Sequence, residues 1–309
     1  MKKTRQREPR RMVGLDVSDT HLAAVQLAFG RDDSIRLEAA GWSTPPPGAD
    51  LHQMAEAVRQ LFRKAGLSRN HVCTAFQTPG LVVKHFRHAH LNTVELAHAL
   101  SIEAEETLQL TASNFYMDWH SNTDSSNGES VDGVLVAMPK NDVDRHLQML
   151  ALSDIFPRVL DAGCLAVCNL YLQLKGIAAP DQATAVVSLS QNRADIAILS
   201  GKRHVFPRSV FSPQATWDET PAYLAECVSD TIKYHQFILH GPPVERMVLT
   251  GAVPQRELLV SHLRELVPVM AFWDPISDLP SVNERIRPQL DRDVGARLAT
   301  SLGLALRRD

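Results

Sequence analysis

Three runs near the start of the chain have the apolar and polar spacing of extended strands: Met12 to Val17, Leu22 to Phe29 and Ile35 to Trp42. Short turns rich in Asp, Ser and Gly separate them, and Pro45-Pro46-Pro47-Gly48 ends the meander. The period then lengthens to that of a helix. Leu51, Met54, Val58, Leu61, Phe62 and Ala65 fall on one face, Asp50 stands at the N-cap with Gln53 three positions on, and Gly66 supplies the stop. Val72 to Phe76 is a fourth strand. A helix and a strand following a three-strand meander exclude both a dinucleotide fold and a simple barrel.

The next stretch repeats the alternation on a smaller scale. Leu81 to Phe86 is strand-like, and Asn92 with Glu95 makes a capping pair for a helix running to about Gln109. Leu96, Ala97, Leu100, Ala104 and Leu108 take one side of it, and Glu103, Glu105 and Glu106 form a solvated face on the other. Phe115 to Trp119 is a strand, Asn122 to Ser130 a mobile polar loop, and Val134 to Met138 a further strand. Asn141 is expected to cap a helix carrying Val143, Leu147, Leu150 and Ala151. Residues from about 81 to 152 therefore read as a small α+β subdomain inserted into a first lobe.

The second half restarts the first. Thr184 to Leu189, Ile196 to Leu199 and His204 to Val210 form another meander, and Val187-Ser188-Leu189-Ser190 follows Leu15-Asp16-Val17-Ser18 by 172 positions. A repeat at that distance implies two related lobes, not a solenoid. Thr220 and Pro221 open a long helix, Met247 to Leu249 is a strand, and a closing helix starts near Asp293. The organisation expected is a basic flexible tail over 1–11, lobe I over 12–178 including the insert, and lobe II over 179–309 with a C-terminal crossing helix.

Composition narrows the function classes. The chain has 309 residues, 44% of them hydrophobic and 22% charged, with a net charge of −3. That balance suits a globular protein large enough for two cores and argues against nucleic acid as the partner. The basic excess is confined to Lys2, Lys3, Arg5, Arg7, Arg10 and Arg11, where a solvated tail and a weak attraction to an anionic leaflet are both open. No run approaches the length of a membrane span, and Asp16 interrupts the apolar segment a signal peptide would need, so a cytoplasmic location is expected. Cys73, Cys164, Cys168 and Cys227 suit a reducing compartment and lack zinc-knuckle spacing. His85, His88 and His90 are close in sequence but have no companion ligand at metal spacing.

Val13-Gly14-Leu15-Asp16-Val17-Ser18-Asp19-Thr20-His21-Leu22-Ala23-Ala24-Val25-Gln26-Leu27 resembles the opening of PilM-type pilus assembly proteins, a branch of the actin-like ATPases that also includes FtsA. The acidic helix from Val94 to Glu106, the strand Phe115-Tyr116-Met117-Asp118-Trp119, the return segment Ile155 to Asp161 and the ending Ala299 to Arg307 are similar to the same family in the same order. The resemblance implies an α/β fold of the actin-like ATPase (ribonuclease H-like) type, duplicated as two lobes around a cleft. It also implies that the small-residue segments Ala162 to Cys168 and Gly295 to Ala305 are crossing helices in close contact, with Cys164 and Cys168 as packing residues.

For chemistry, the resemblance implies nucleotide loops at Asp16, Ser18, Asp19 and Thr20, at Ser190, Gln191 and Asn192, and at Gly251 and Ala252. All three depart from the family pattern. Ser18 and Ser190 replace loop glycines, Asp19 puts a carboxylate at the phosphate loop, Ala23 replaces a lysine and Ser188 an acid. Glycine lets backbone N–H groups approach a phosphate, and a carboxylate repels one. No catalytic residue or metal ligand is assigned. The function expected from the resemblance is a degenerate ATPase acting as a structural adaptor at the inner membrane. Its partners would be the N-terminal segment of a bitopic PilN-like protein, gripped by Val83, Phe86, Arg87 and Leu91, and the pilus motor ATPases; the alternation in this strand equally allows Val83 and Phe86 to face the lobe core instead. The alternative is a working ATPase or small-molecule kinase with ATP and Mg²⁺ as cofactors. A third reading is a secretion-system relative fused to a membrane segment, for which no such segment is found up to Asp309.

Overall fold

The computed structural model describes residues 10–307, except 77, 79, 90, 122–129, 177–178, 180, 191, 202–203, 215–216, 218–219 and 252–255. The first lobe contains β1 (Arg10–Val17), β2 (Leu22–Phe29), β3 (Ile35–Ser43), α1 (Leu51–Ala65) and β4 (Val72–Phe76). Next come β5 (Val82–Ala89), α2 (Thr93–Leu108), β6 (Phe115–Ser121), β7 (Ser130–Pro139), α3 (Lys140–Leu152), β8 (Val159–Ala162) and α4 (Gly163–Lys175). The second lobe contains β9 (Ala183–Leu189), β10 (Arg193–Ser200), β11 (His204–Phe211), α5 (Pro221–Lys233) and β12 (Val244–Gly251). It closes with α6 (Arg256–Leu263), β13 (Val269–Phe272), β14 (Ser281–Val282), α7 (Arg292–Arg297) and α8 (Ala299–Ala305).

Two sheets share one design. The first runs β14-β3-β2-β1-β4-β8 and the second β11-β10-β9-β12-β13. In each, three antiparallel strands are followed by two that join in parallel. The turns correspond atom for atom. Ser18 N donates to His21 O at 2.8 Å in one, and Ser190 N donates to Arg193 O at 2.8 Å in the other. β14 alone breaks the symmetry, since it comes from the second half of the chain and pairs in parallel with Arg36 and Leu37 of β3.

Local signals account for most elements. Asp50 accepts from His52 N and Gln53 N while Gln53 returns a bond to the Asp50 N–H, closing a capping box. Gly66 follows α1 with φ +66° and ends it. Asn92 and Glu95 make the same box on α2. Three expectations change. Asn141 is not a cap: β7 runs straight into α3 at Pro139, so no loop residue is left to serve. Arg10 and Arg11 are not tail but the first residues of β1, where the Arg11 guanidinium meets Glu38 at 2.7 Å. Glu38 is the extra residue where the β2–β3 register shifts. Finally, α3 is shared between layers. Met149 and Leu150 pack with Val58 and Leu61 of α1, while Val143 packs with Leu81 and Met138.

The lobes meet through α4 and α8. A Cβ on Gly14 of β1 would stand 1.9 Å from the Ser301 carbonyl oxygen, and one on Gly303 would stand 2.0 Å from the Ala166 carbonyl oxygen. Both glycines therefore mark places where backbone touches backbone. Cys164 and Cys168 line this junction, fully buried, and burial raises both thiols well above their ordinary range. Neither supplies thiolate near neutral pH, which fits packing and not redox work. Arg307, just past α8, locks the far end by donating from Nε to the buried Asp161 carboxylate at 2.6 Å. Gly303→Val should cost about 3 kcal/mol or prevent folding, since carbonyl backbone cannot yield as a flexible side chain does. Urea denaturation reads the loss, and an unchanged midpoint would contradict the close approach.

Candidate functional site

The two equivalent turns face the seam between the lobes, and each uses serine to hold itself shut. Ser18 Oγ donates to His21 O at 3.2 Å and accepts from His21 N at 3.0 Å and, more weakly, from Thr20 N at 3.4 Å. Those N–H groups are the donors a phosphate would need, and the hydroxyl already engages them. Ser190 Oγ likewise donates to Arg193 O at 3.2 Å. Asp19 is exposed at the tip of its turn, and Asn192 is exposed on the second turn, its carbonyl accepting from Ser212 N at 2.7 Å. Gln191 and Ala252 lie outside the described residues. Gly251 takes φ +91°, and a Cβ there would lie 2.0 Å from Leu189 O. The pairing of β12 with β9 thus demands this glycine without any nucleotide.

Between the turns lies a buried ion pair that sequence reading did not single out. Arg193 is 2% exposed, and its Nε and Nη2 donate to Asp195 Oδ1 at 2.9 and 2.7 Å. Ser209 Oγ adds a bond to the same oxygen. Arg193 Nη1 is buried without a hydrogen-bond partner among the described residues. Burial opposes the guanidinium charge, but Asp195 and, across the seam, Asp16 outweigh it and hold the group firmly protonated. Asp16 is itself buried at the end of β1. A fixed cation therefore balances the carboxylates where the fold would otherwise place a metal–nucleotide. With the turn N–H groups also engaged, this set of groups does not fit Mg-ATP.

Helix α7 contacts both β12 and the first turn. Thr250 Oγ1 donates to Ala296 O at 3.3 Å, and the His21 ring is hydrogen-bonded to the backbone of Arg297. Burial, with a smaller contribution from the Arg297 charge, lowers the His21 pKa to about 4. On the outer layer His146 reaches Thr74 Oγ1 at 3.2 Å, and burial lowers it to about 4 as well.

The expected partner residues divide by strand parity. β5, β7 and β6 form a separate three-stranded sheet in the order β5-β7-β6. Phe86 is 2% exposed among Leu96, Leu100, Ala104 and Leu135, and Leu91 packs on the same cluster. Phe86 is thus a core residue under α2 and lines no slot, because alternate positions of a strand face opposite sides. Val83 and Arg87 are on the other face, Arg87 exposed and paired in register with Asp132. That face turns to the first lobe, where Val83, Val136, Leu160 and Leu165 are partly buried around Leu81, Met138 and Cys164. Parity also separates His85 from His88. The first faces Asp132 at 3.7 Å and the second Glu103 at 2.8 Å, so they cannot share an ion on this strand. His90 lies outside the described residues.

Two matching sheets, crossing helices at the seam and an inserted three-stranded sheet define an actin-like ATPase fold. The solved structures similar to this chain agree. An actin-like ATPase fold protein of unknown function from Bacteroides thetaiotaomicron shares 11% identity at a TM-score of 0.52, covering 87% of this chain and 92% of its own. The ethanolamine utilization protein EutJ from Carboxydothermus hydrogenoformans gives 13% and 0.51, covering 96% and 90%. A chain of a PilM–PilN type IV pilus biogenesis complex gives 19% identity and 0.77, covering 96% and 97%. The family profile of type IV pilus assembly protein PilM matches residues 14–212, and the chain belongs to that family.

Two outcomes test the site. Arg193→Ala leaves the buried Asp195 carboxylate without its guanidinium and should destabilise the chain by about 3–5 kcal/mol in chemical denaturation. A loss under 1 kcal/mol would show that solvent already balances that carboxylate. The histidines set an acid limit. Both are neutral when folded, so the unfolded chain begins to take up protons below its ordinary value near 6.5 while the folded chain does so only near 4. Stability is flat above pH 6.5 and falls between 6.5 and 4, by roughly 3 kcal/mol for each histidine. Comparison with the His21→Gln and His146→Gln variants across that range checks the slope.

Proposed function

We propose that this PilM-family chain is a pilus-assembly adaptor that binds a partner segment and does not turn over nucleotide. The observation that carries the reading is the apolar, partly buried face of the inserted sheet. Val83 and Val136 stand there beside Leu160 and Leu165 of the first lobe, all four apolar and partly buried, where the insert packs on that lobe. A slot formed in advance suits an extended segment, because the protein spends no ordering entropy on its own side. The similar chain named above comes from a complex with PilN, so the occupant we assign is the N-terminal segment of a PilN-like protein with one membrane span. Through it the adaptor would stand at the cytoplasmic face of the inner membrane, within reach of the pilus motor ATPases. No helix among the described residues is long and apolar enough to cross a membrane itself. The buried Arg193–Asp195 pair supports the second half of the reading, since it occupies the cleft with fixed charge.

The test is capture of a labelled peptide copying the first residues of the PilN protein encoded with this chain, with and without Mg-ATP. Val136→Asp should abolish capture with little change in melting temperature, and Mg-ATP should alter neither quantity. Undiminished capture by a folded Val136→Asp variant would remove the slot. A micromolar affinity for Mg-ATP would overturn the claim of a silent cleft.

A further inference from the structure

The parallel strands β1, β4 and β8 all begin at one end of the first lobe, opposite the Ser18 turn. On that end, in the link from α3 to β8, Phe156 is 73% exposed, more than any other aromatic side chain among the described residues. Both flanks of the link are pinned. Ile155 is fully buried in the core under α1, and its N–H donates to Leu150 O at 3.0 Å. Arg158 N donates to Val72 O at 2.8 Å, and Pro157 between them has a fixed φ. The backbone therefore holds the ring out in water. Basic side chains gather around it. Arg158 is exposed and donates from Nη1 to His71 Nδ1 at 3.0 Å, and the exposed Arg69 faces Asp154 at 3.3 Å. Arg10, exposed at the start of β1, is two strands from β8, roughly 10 Å across the sheet. The chain enters β1 here, so Lys2, Lys3, Arg5 and Arg7 are tethered to the same end, with Glu8 as the one acid among them. Two further acids, Asp32 and Asp33, belong to the β2–β3 turn, on the other side of β1 from Phe156.

We propose that this end binds an anionic phospholipid surface directly, with the Phe156 ring entering the boundary between headgroups and acyl chains and the basic side chains lying on the lipid phosphates. Charge complementarity selects the occupant. The chain as a whole carries −3, so the cationic excess at this end runs against the average and is matched by an anionic surface. The ring selects a bilayer over a nucleic acid. Binding of bases draws on several stacking rings along a basic groove, and the other exposed aromatics are on the insert and the second lobe. A bilayer interface takes up a single projecting ring. Neither signal alone holds a protein to a membrane, since one small apolar anchor or a few screened charges bind weakly and reversibly, whereas the two together give a lasting contact. The proposal is independent of the slot, because β4 runs from this end towards the insert and reaches it only at the far end of the sheet.

The experiment is co-sedimentation of the whole chain, without any PilN peptide, with vesicles of phosphatidylcholine alone or with about one-third phosphatidylglycerol, at about 0.15 M salt. The unaltered chain is compared with Phe156→Ser and with a tail variant combining Lys2→Gln, Lys3→Gln, Arg5→Gln and Arg7→Gln. Phe156 is exposed and the tail precedes the first strand, so both variants should keep their melting temperature. The expected result is binding to the phosphatidylglycerol vesicles only. Phe156→Ser should weaken it about tenfold, the tail variant about a hundredfold or more, and raised salt should loosen it further. No binding to either vesicle, or equal binding to both, would overturn the proposal. Undiminished binding by Phe156→Ser would overturn it by leaving a charged tail with no built surface, and undiminished binding by the tail variant would overturn the role of charge. A labelled single-stranded oligonucleotide serves as the competing ligand. Its capture by the unaltered chain, with the same losses in both variants, would assign this end to nucleic acid and overturn the lipid reading.

Discussion

Backbone contact across the seam is the constraint on which the rest of this structure depends. Gly14 lets β1 lie against the carbonyl of Ser301, and Gly303 lets α8 lie against the carbonyl of Ala166. With those distances fixed, α8 can bury Leu298, Leu302 and Leu304 in the same core as Val25, Leu27 and Val186. That cluster takes residues from both sheets, so the lobes share one hydrophobic core at the seam while each keeps another on its outer side. The two phosphate-type turns face each other for the same reason. They sit at the ends of β1 and β9, and those strands are held by the helices that cross behind them.

A seam this close leaves little room for charge that is not paired. Asp16, Asp161 and Asp195 are all buried near it. In a nucleotide-dependent relative, metal and bound water would offset such carboxylates. Here the offset is covalently part of the chain: Arg193 serves Asp195, with Asp16 near enough to act on it, and Arg307 serves Asp161. Buried pairs are poor sources of net stability but strong determinants of arrangement, because removing one partner strands the other. Two of the three buried carboxylates are thus neutralised by the chain's own arginines.

Much of this was legible before any coordinates, and the reasons are local. The capping residues of α1 and α2, the short apolar runs of β1 to β4 and the repeat between Leu15–Ser18 and Val187–Ser190 are all written in short windows of sequence. Asn141 misled because a good capping residue says nothing about whether the preceding strand stops in time for it to act. Phe86 misled because period two gives the two faces of a strand without saying which one the neighbouring helix covers. Arg193 was passed over for a similar reason. Its spacing to Asp195 marks one face of a strand, but that the face is sealed, and that Asp16 waits on the other side, depends on contacts far apart in the chain. His21 is the same case, since only the fold brings Arg297 to it.

The serines in the two turns complete the physical contrast with a nucleotide site. A glycine turn leaves its N–H groups free because glycine has nothing with which to satisfy them, and the anion does so when it arrives. Ser18 carries its own acceptor, so the turn is content without a ligand, and an incoming phosphate would have to displace an internal hydrogen bond before forming its own. Ser190 closes the second turn through its carbonyl side, and Arg193 follows it directly in sequence as the cation. Two small side chains and one arginine thus hold both turns and the buried Asp195 carboxylate from within the chain.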